Sequence, residues 1–166
     1  MHPKILEYLS REVGKHDKSY GSDASTQKLH LLLADIFETE VAVFPVTTGT
    51  AANALALAAI TPRCSAIACH KGAHIFTDEC AAPGFFCDSS PLIPIEGKNG
   101  KIGLDSLQSI CELFSENDPQ CSPVKTLSIT QATEHGTIYS LAELEALSNF
   151  ANANDIRLHM DGARFA

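Results

Sequence analysis

Two hydrophobic periods alternate along this chain, and the alternation restricts it to few folds. Short apolar runs recur at residues 41–46, 65–69, 92–95, 124–131 and 156–160, and each reads as a strand. Between them lie stretches with apolar residues at helical spacing, at 51–60, 75–82, 104–114 and 141–152. Strands that alternate with helices predict an α/β fold: a mostly parallel sheet with helices on both faces. Pro45 confines the first run to an edge or a strand end. Pro62 ends one helix, and Pro83-Gly84 is expected to stop another. Two further helices precede the first strand. One starts at Pro3, with Ile5, Leu6 and Leu9 on its apolar face, and ends near Gly14. The second covers residues 24–39, with Leu29, Leu32, Leu33, Ile36 and Phe37 expected in the core.

No repeat, low-complexity segment or linker interrupts the 166 residues, so 1–166 reads as one domain. The formal charge of −8 disfavours nucleic acid as partner, because phosphate binding needs a basic face. No apolar run is long enough to span a membrane. Residues 1–18 include His2, Lys4, Glu7, Arg11, Glu12, Lys15, His16, Asp17 and Lys18, which leaves no apolar core for a secretory signal. The six cysteines form no C-x-x-C pair and most lie in apolar stretches. They are expected to be reduced core residues of a cytoplasmic protein.

Four segments carry candidate chemistry. Thr47-Thr48-Gly49-Thr50 joins a strand to a helix. A helix N-terminus offers free N–H groups to a phosphate, and Gly49 lets a ligand approach while Thr50 adds a hydroxyl. Plain N-capping by Thr48 or Thr50 explains the same residues. His74 follows the strand at 65–69. Its imidazole could stack on a flat ring, or bond a nearby backbone group at a helix start. A metal set of His70, His74 and Asp78 at i, i+4 and i+8 is a further alternative, against which Gly72 argues. Glu134 and His135 leave the strand at 124–131 and are candidate acid–base groups, or members of a polar loop. Finally, Asp161-Gly162-Ala163-Arg164 closes the last strand. Ligands of open α/β sheets bind beyond the strands' carboxyl ends. A carboxylate there can hold a proton on a cofactor ring nitrogen, and the arginine can grip a substrate carboxylate. An Asp-Gly turn and a surface arginine are the simpler alternatives.

Taken in order, these segments resemble the threonine aldolase and β-eliminating lyase family of pyridoxal-phosphate (PLP) enzymes. Gly49-Thr50 is similar to the family's phosphate-gripping pair. Ala73-His74-Ile75, followed by Asp78 to Pro83, is similar to the stretch with the ring-stacking histidine. Thr133 to Thr137 is similar to the loop near the substrate, and Asp161 to Arg164 to the ring-nitrogen aspartate and carboxylate-binding arginine. Tyr20-Gly21-Ser22-Asp23 resembles a loop near the active site. The resemblance implies cleavage of β-hydroxy-α-amino acids, threonine to glycine and acetaldehyde, by a homodimer or homotetramer. Elimination or transamination of another amino acid is the alternative within the same fold. Many members carry Thr-His-Asn where this chain has Thr133-Glu134-His135, and a short Ser-Asp segment ahead of the first helix that is not matched here. None of the eight lysines lies in the family's cofactor-lysine context. The chain therefore reads as the N-terminal part of a large domain, without the small domain, and as catalytically silent alone.

Overall fold

The computed structural model describes residues 1–165. The chain divides into two compact units, Met1–Pro45 and Val46–Ala166.

The first unit holds two helices, α1 (Pro3–Glu12) and α2 (Ala24–Phe37). The Asp23 carboxylate caps α2 by accepting from the Thr26 N–H at 2.8 Å, and Glu38 closes it in the left-handed conformation. The expected burial of the α2 leucines is corrected by the structure. Leu29 and Leu33 are half-buried, while Leu32, Ile36 and Phe37 are 47–56% exposed. Ile5, Leu6 and Leu9 of α1 are also exposed. Two helices form no closed layer of their own, so their apolar stripes stay open. The strand expected at 41–46 does not form. A strand needs a ladder partner, and this run has none among the described residues.

The second unit is a four-stranded parallel sheet in the order β2–β1–β3–β4. Helix α3 (Gly49–Ile60) enters first, then strand β1 (Ala66–His70). Two short helices follow, α4 (His74–Thr77) and α5 (Ala82–Phe86), then β2 (Leu92–Ile95). Helix α6 (Leu104–Leu113), β3 (Val124–Thr130), α7 (Leu141–Ala153) and β4 (Arg157–Asp161) complete it. All five residues of β1 are buried, because helices cover both sides of the sheet. Successive side chains of a strand point to opposite faces. Ala66 and Ala68 meet one core, with Leu107 of α6 and Leu147 and Ala151 of α7. Ile67 and Cys69 meet the other, with Leu57 of α3 and Ile75 of α4. Leu57, Leu107, Leu127 and Leu147 are 0–2% exposed, and each burial stabilises by roughly 1.5–3 kcal/mol. In the first core the Tyr139 hydroxyl accepts from the Ile102 N–H at 2.7 Å.

The single helix expected at 75–82 is two helices. Cys80 and Ala81 both lie at positive φ, 48° and 62°, which breaks the helical path. Pro83 does not stop a helix but sits in the first turn of α5, where its missing N–H costs no hydrogen bond. The break follows Glu79, whose side chain is fully buried. All six cysteines are free, but only Cys69 and Cys87 are buried. Among the described residues no helix is long and apolar enough to cross a membrane.

Topology fixes where a ligand can sit. From β1 the chain moves to β2 on one side, then returns to place β3 on the other. Loops leaving β1 and β3 diverge at such a switch point, opening a crevice at the strands' carboxyl ends.

Candidate active site

A cleft of about 560 Å³ opens at that edge of the sheet. Its walls are the first turns of α3, the His74 end of α4, and the segment from His159 to Arg164. Its size falls within the usual range for a small-molecule site.

Helix α3 brings its N-terminus to the cleft. Thr48 caps it, Oγ1 accepting from the Ala51 N–H at 3.1 Å, so the capping expected of this segment is present. Capping leaves Gly49 and Thr50 as cleft-lining residues in the first turn. A Cβ built on Gly49 would meet no atom within 4 Å, so the backbone there faces open space. The arrangement offers an anion free N–H groups and a hydroxyl.

His74 is the first residue of α4 and its side chain is 45% exposed. Its Nδ1 lies 3.0 Å from Glu79 Oε1. The Glu79 hydrogen bond, helped by the charges of Glu79, Asp78 and Asp161, raises the His74 pKa above that of an ordinary imidazole. The metal set does not form. His70 ends β1 instead of starting a helix, and its ring nitrogens are engaged by the Gly72 N–H and the Gly97 carbonyl. No three potential ligands converge among the described residues.

Asp161 is the last residue of β4 and is 8% exposed. Its Oδ1 accepts from the Ala163 N–H at 3.0 Å, so the Asp-Gly turn is real. The other oxygen, Oδ2, accepts from the Asn53 side-chain amide at 3.0 Å, inside the cleft. Two residues earlier on the same strand face, His159 is buried and bonded to Ser128 Oγ at 2.8 Å. Burial, above all, lowers its pKa, although Asp161 and Glu79 oppose the shift. Arg164 lines the cleft and donates from Nη1 to the Ala132 carbonyl at 3.0 Å.

The structure thus brings Gly49, Thr50, His74, Asp161 and Arg164 into one cleft. Glu134 borders it: Oε1 accepts from the His74 N–H at 3.3 Å and lies 3.9 Å from Arg164 Nη1. His135 is exposed, does not line the cleft, and packs edge-on against His70 with centroids 6.2 Å apart. Three further residues escaped the sequence reading: Asn53, Glu79 and His159. Asn53 did leave a signal, as the one polar side chain between Ala51 and Ile60.

The sequence pattern of the β-eliminating lyase family matches residues 3–166. The chain belongs to that family. It is 38% identical over 151 residues to a low specificity L-threonine aldolase of Pseudomonas aeruginosa, covering 91% of this chain and 43% of that protein. It is 36% identical to the enzyme of the same description from a Pseudomonas species, covering 99% of this chain and 47% of the relative. A solved structure of Leishmania major threonine aldolase superposes with a TM-score of 0.92 at 26% identity, over 99% of this chain and 47% of that one. The chain therefore spans somewhat less than half the length of these relatives.

Proposed function

We propose that this chain contributes the cofactor half-site of a PLP-dependent enzyme that cleaves threonine-like β-hydroxy-α-amino acids to glycine and an aldehyde. One observation carries the reading: a buried carboxylate, Asp161, reaches the same cleft as a helix N-terminus and a half-exposed imidazole.

The residues fit the cofactor. Gly49 and Thr50 would hold the phosphate, where the α3 backbone faces open space. His74 would meet a face of the ring, and Asp161 would hold the proton on its nitrogen. Two buried carboxyl groups, Glu79 and Asp161, share the site, and the His74 ring bonds Glu79 and not Asp161. A protonated ring nitrogen would give Asp161 a charged partner beside its neutral donors, Asn53 and the Ala163 N–H. When bound, PLP supplies an electron sink for the pair released as Cα–Cβ breaks. Arg164 would fix the substrate carboxylate by a charge-assisted contact.

The β-hydroxyl proton needs an acceptor, and we assign it to Glu134, which His74 and Arg164 hold at the cleft's border. In the intact enzyme Glu134→Gln is expected to slow threonine cleavage by about 10²–10⁴-fold. Glycine binding should survive, since glycine has no β-hydroxyl, and His135→Ala should be mild. A silent Glu134 with an essential His135 would transfer the role to the histidine.

The reaction itself is tested by products. Threonine given to the intact enzyme should yield glycine and acetaldehyde in equal amounts. A 2-oxo acid product would point instead to elimination or transamination. Assembly as a homodimer or homotetramer is part of the same proposal. Its support is the open apolar surface of Ile5, Leu6 and Leu9 on α1 and of Phe85 and Phe86 on α5.

A further observation favours a silent 166-residue chain when taken alone. No lysine lines the cleft among the described residues. Borohydride reduction of the chain mixed with PLP should label no single dominant lysine, and threonine should not be turned over. Stoichiometric labelling at one lysine, with turnover, would contradict this.

A further inference from the structure

Four side chains that line the cleft, Asp161, Asn53, Glu79 and His74, form one continuous hydrogen-bonded line. The Asn53 amide donates one N–H to Asp161 Oδ2 at 3.0 Å and the other to Glu79 Oε1 at 2.7 Å. Glu79 Oε1 also receives His74 Nδ1 at 3.0 Å. Asn53 is 7% exposed, and the Glu79 side chain is fully buried. Glu79 Oε2, equally buried, has no hydrogen-bond partner. An unpartnered buried carboxylate oxygen is costly and asks for a reason.

We infer that Glu79 and Asn53 are the positioning residues of the ring site: Glu79 fixes the His74 imidazole through Nδ1 and, through the Asn53 amide, orients Asp161. This rests on the PLP reading above, and goes beyond it by naming what holds the two groups that meet the ring.

The residue types follow from the geometry. Two ionised carboxylates only accept, so the group between them must donate twice and carry no negative charge of its own. An asparagine amide does both. Aspartate there would add a third carboxylate, and alanine would leave two buried acceptors short. Glu79 must be long enough to reach both Asn53 and His74 from the break between α4 and α5. Its charge keeps a proton on Nδ1, which directs the imidazole and leaves its other nitrogen and its faces to the cleft. The charged groups around His74 are Glu79, Asp78 and Asp161, with Glu134 bonded at its backbone N–H. Glu79 is the one bonded to the ring.

The test uses Glu79→Gln, which keeps shape and an acceptor at Oε1 but removes the charge, and Asn53→Ala, which removes the bridge between Glu79 and Asp161 and leaves the Glu79–His74 contact in place. Folding is checked by circular dichroism. Two quantities are read on the 166-residue chain. One is the His74 titration midpoint by NMR. The other is the dissociation constant of pyridoxamine 5′-phosphate, whose ring and phosphate match PLP but whose amine cannot react with lysines. Glu79→Gln should lower the His74 midpoint and weaken binding by about two- to tenfold. Asn53→Ala should weaken binding as much and leave the midpoint raised. A folded Glu79→Gln protein with wild-type midpoint and affinity overturns the inference and leaves the PLP reading standing. A wild-type chain that does not bind the probe overturns the PLP reading, and with it a role for Glu79 in a ring site, even if the midpoint moves.

Discussion

In the intact enzyme, Asp161→Ala should lower turnover by about 10²–10³-fold, the range seen when one preorganised electrostatic contact to a transition state is removed. Cofactor affinity should fall only several-fold. The two effects would differ because Asp161 would hold the ring proton of a bound cofactor in every state, whereas its charge would count most where charge develops in the transition state. Asp161 suits this work. It ends β4, one oxygen is tied to the Ala163 N–H, and the other is set by Asn53. Alanine would also leave one Asn53 amide N–H and the Ala163 N–H without their acceptor. Steady-state kinetics beside a cofactor titration separate the effects. Equal losses in both would assign Asp161 to binding alone.

Arg164→Ala should act on the other side of the reaction, raising KM for threonine by about ten- to a hundredfold with a smaller change in turnover. The side chain is 48% exposed, so water screens part of its charge, and the larger losses of a fully buried pair are not expected. Its aim is fixed by the Ala132 carbonyl. Lysine would restore the charge but not the two-pronged grip, so Arg164→Lys should recover affinity only in part. A variant with unchanged KM and lost turnover would exchange the roles of Arg164 and Asp161.

Much of the unit from Val46 onward could be read in the chain. Strands at 92–95 and 124–131 and helices at 51–60 and 141–152 follow from hydrophobic period and turn residues, and the central strands β1 and β3 are buried almost throughout. The first unit resisted the same reasoning. Leu32 and Ile36 have helical spacing, but period reports only which side chains share a face, not what covers that face. The run at 41–46 has strand composition without a strand partner. In the site, Asp161, Arg164, His74 and Gly49-Thr50 stood out because they sit at element ends, where ligands bind. Asn53 and Glu79 were missed for the opposite reason. One is inside a helix and the other lies at a break caused by left-handed backbone at Cys80 and Ala81. Their meaning comes from contacts between residues 26 and 108 positions apart, which no local pattern carries.

On the proposed function, one cleft of this chain would hold the phosphate at α3 and the ring nitrogen at Asp161. Equilibrium binding of pyridoxamine 5′-phosphate to the wild-type chain, Thr50→Ala and Asp161→Asn tests it most directly. Measurable wild-type binding is expected, and each substitution should weaken it by about two- to tenfold. Binding that neither substitution changes would contradict it.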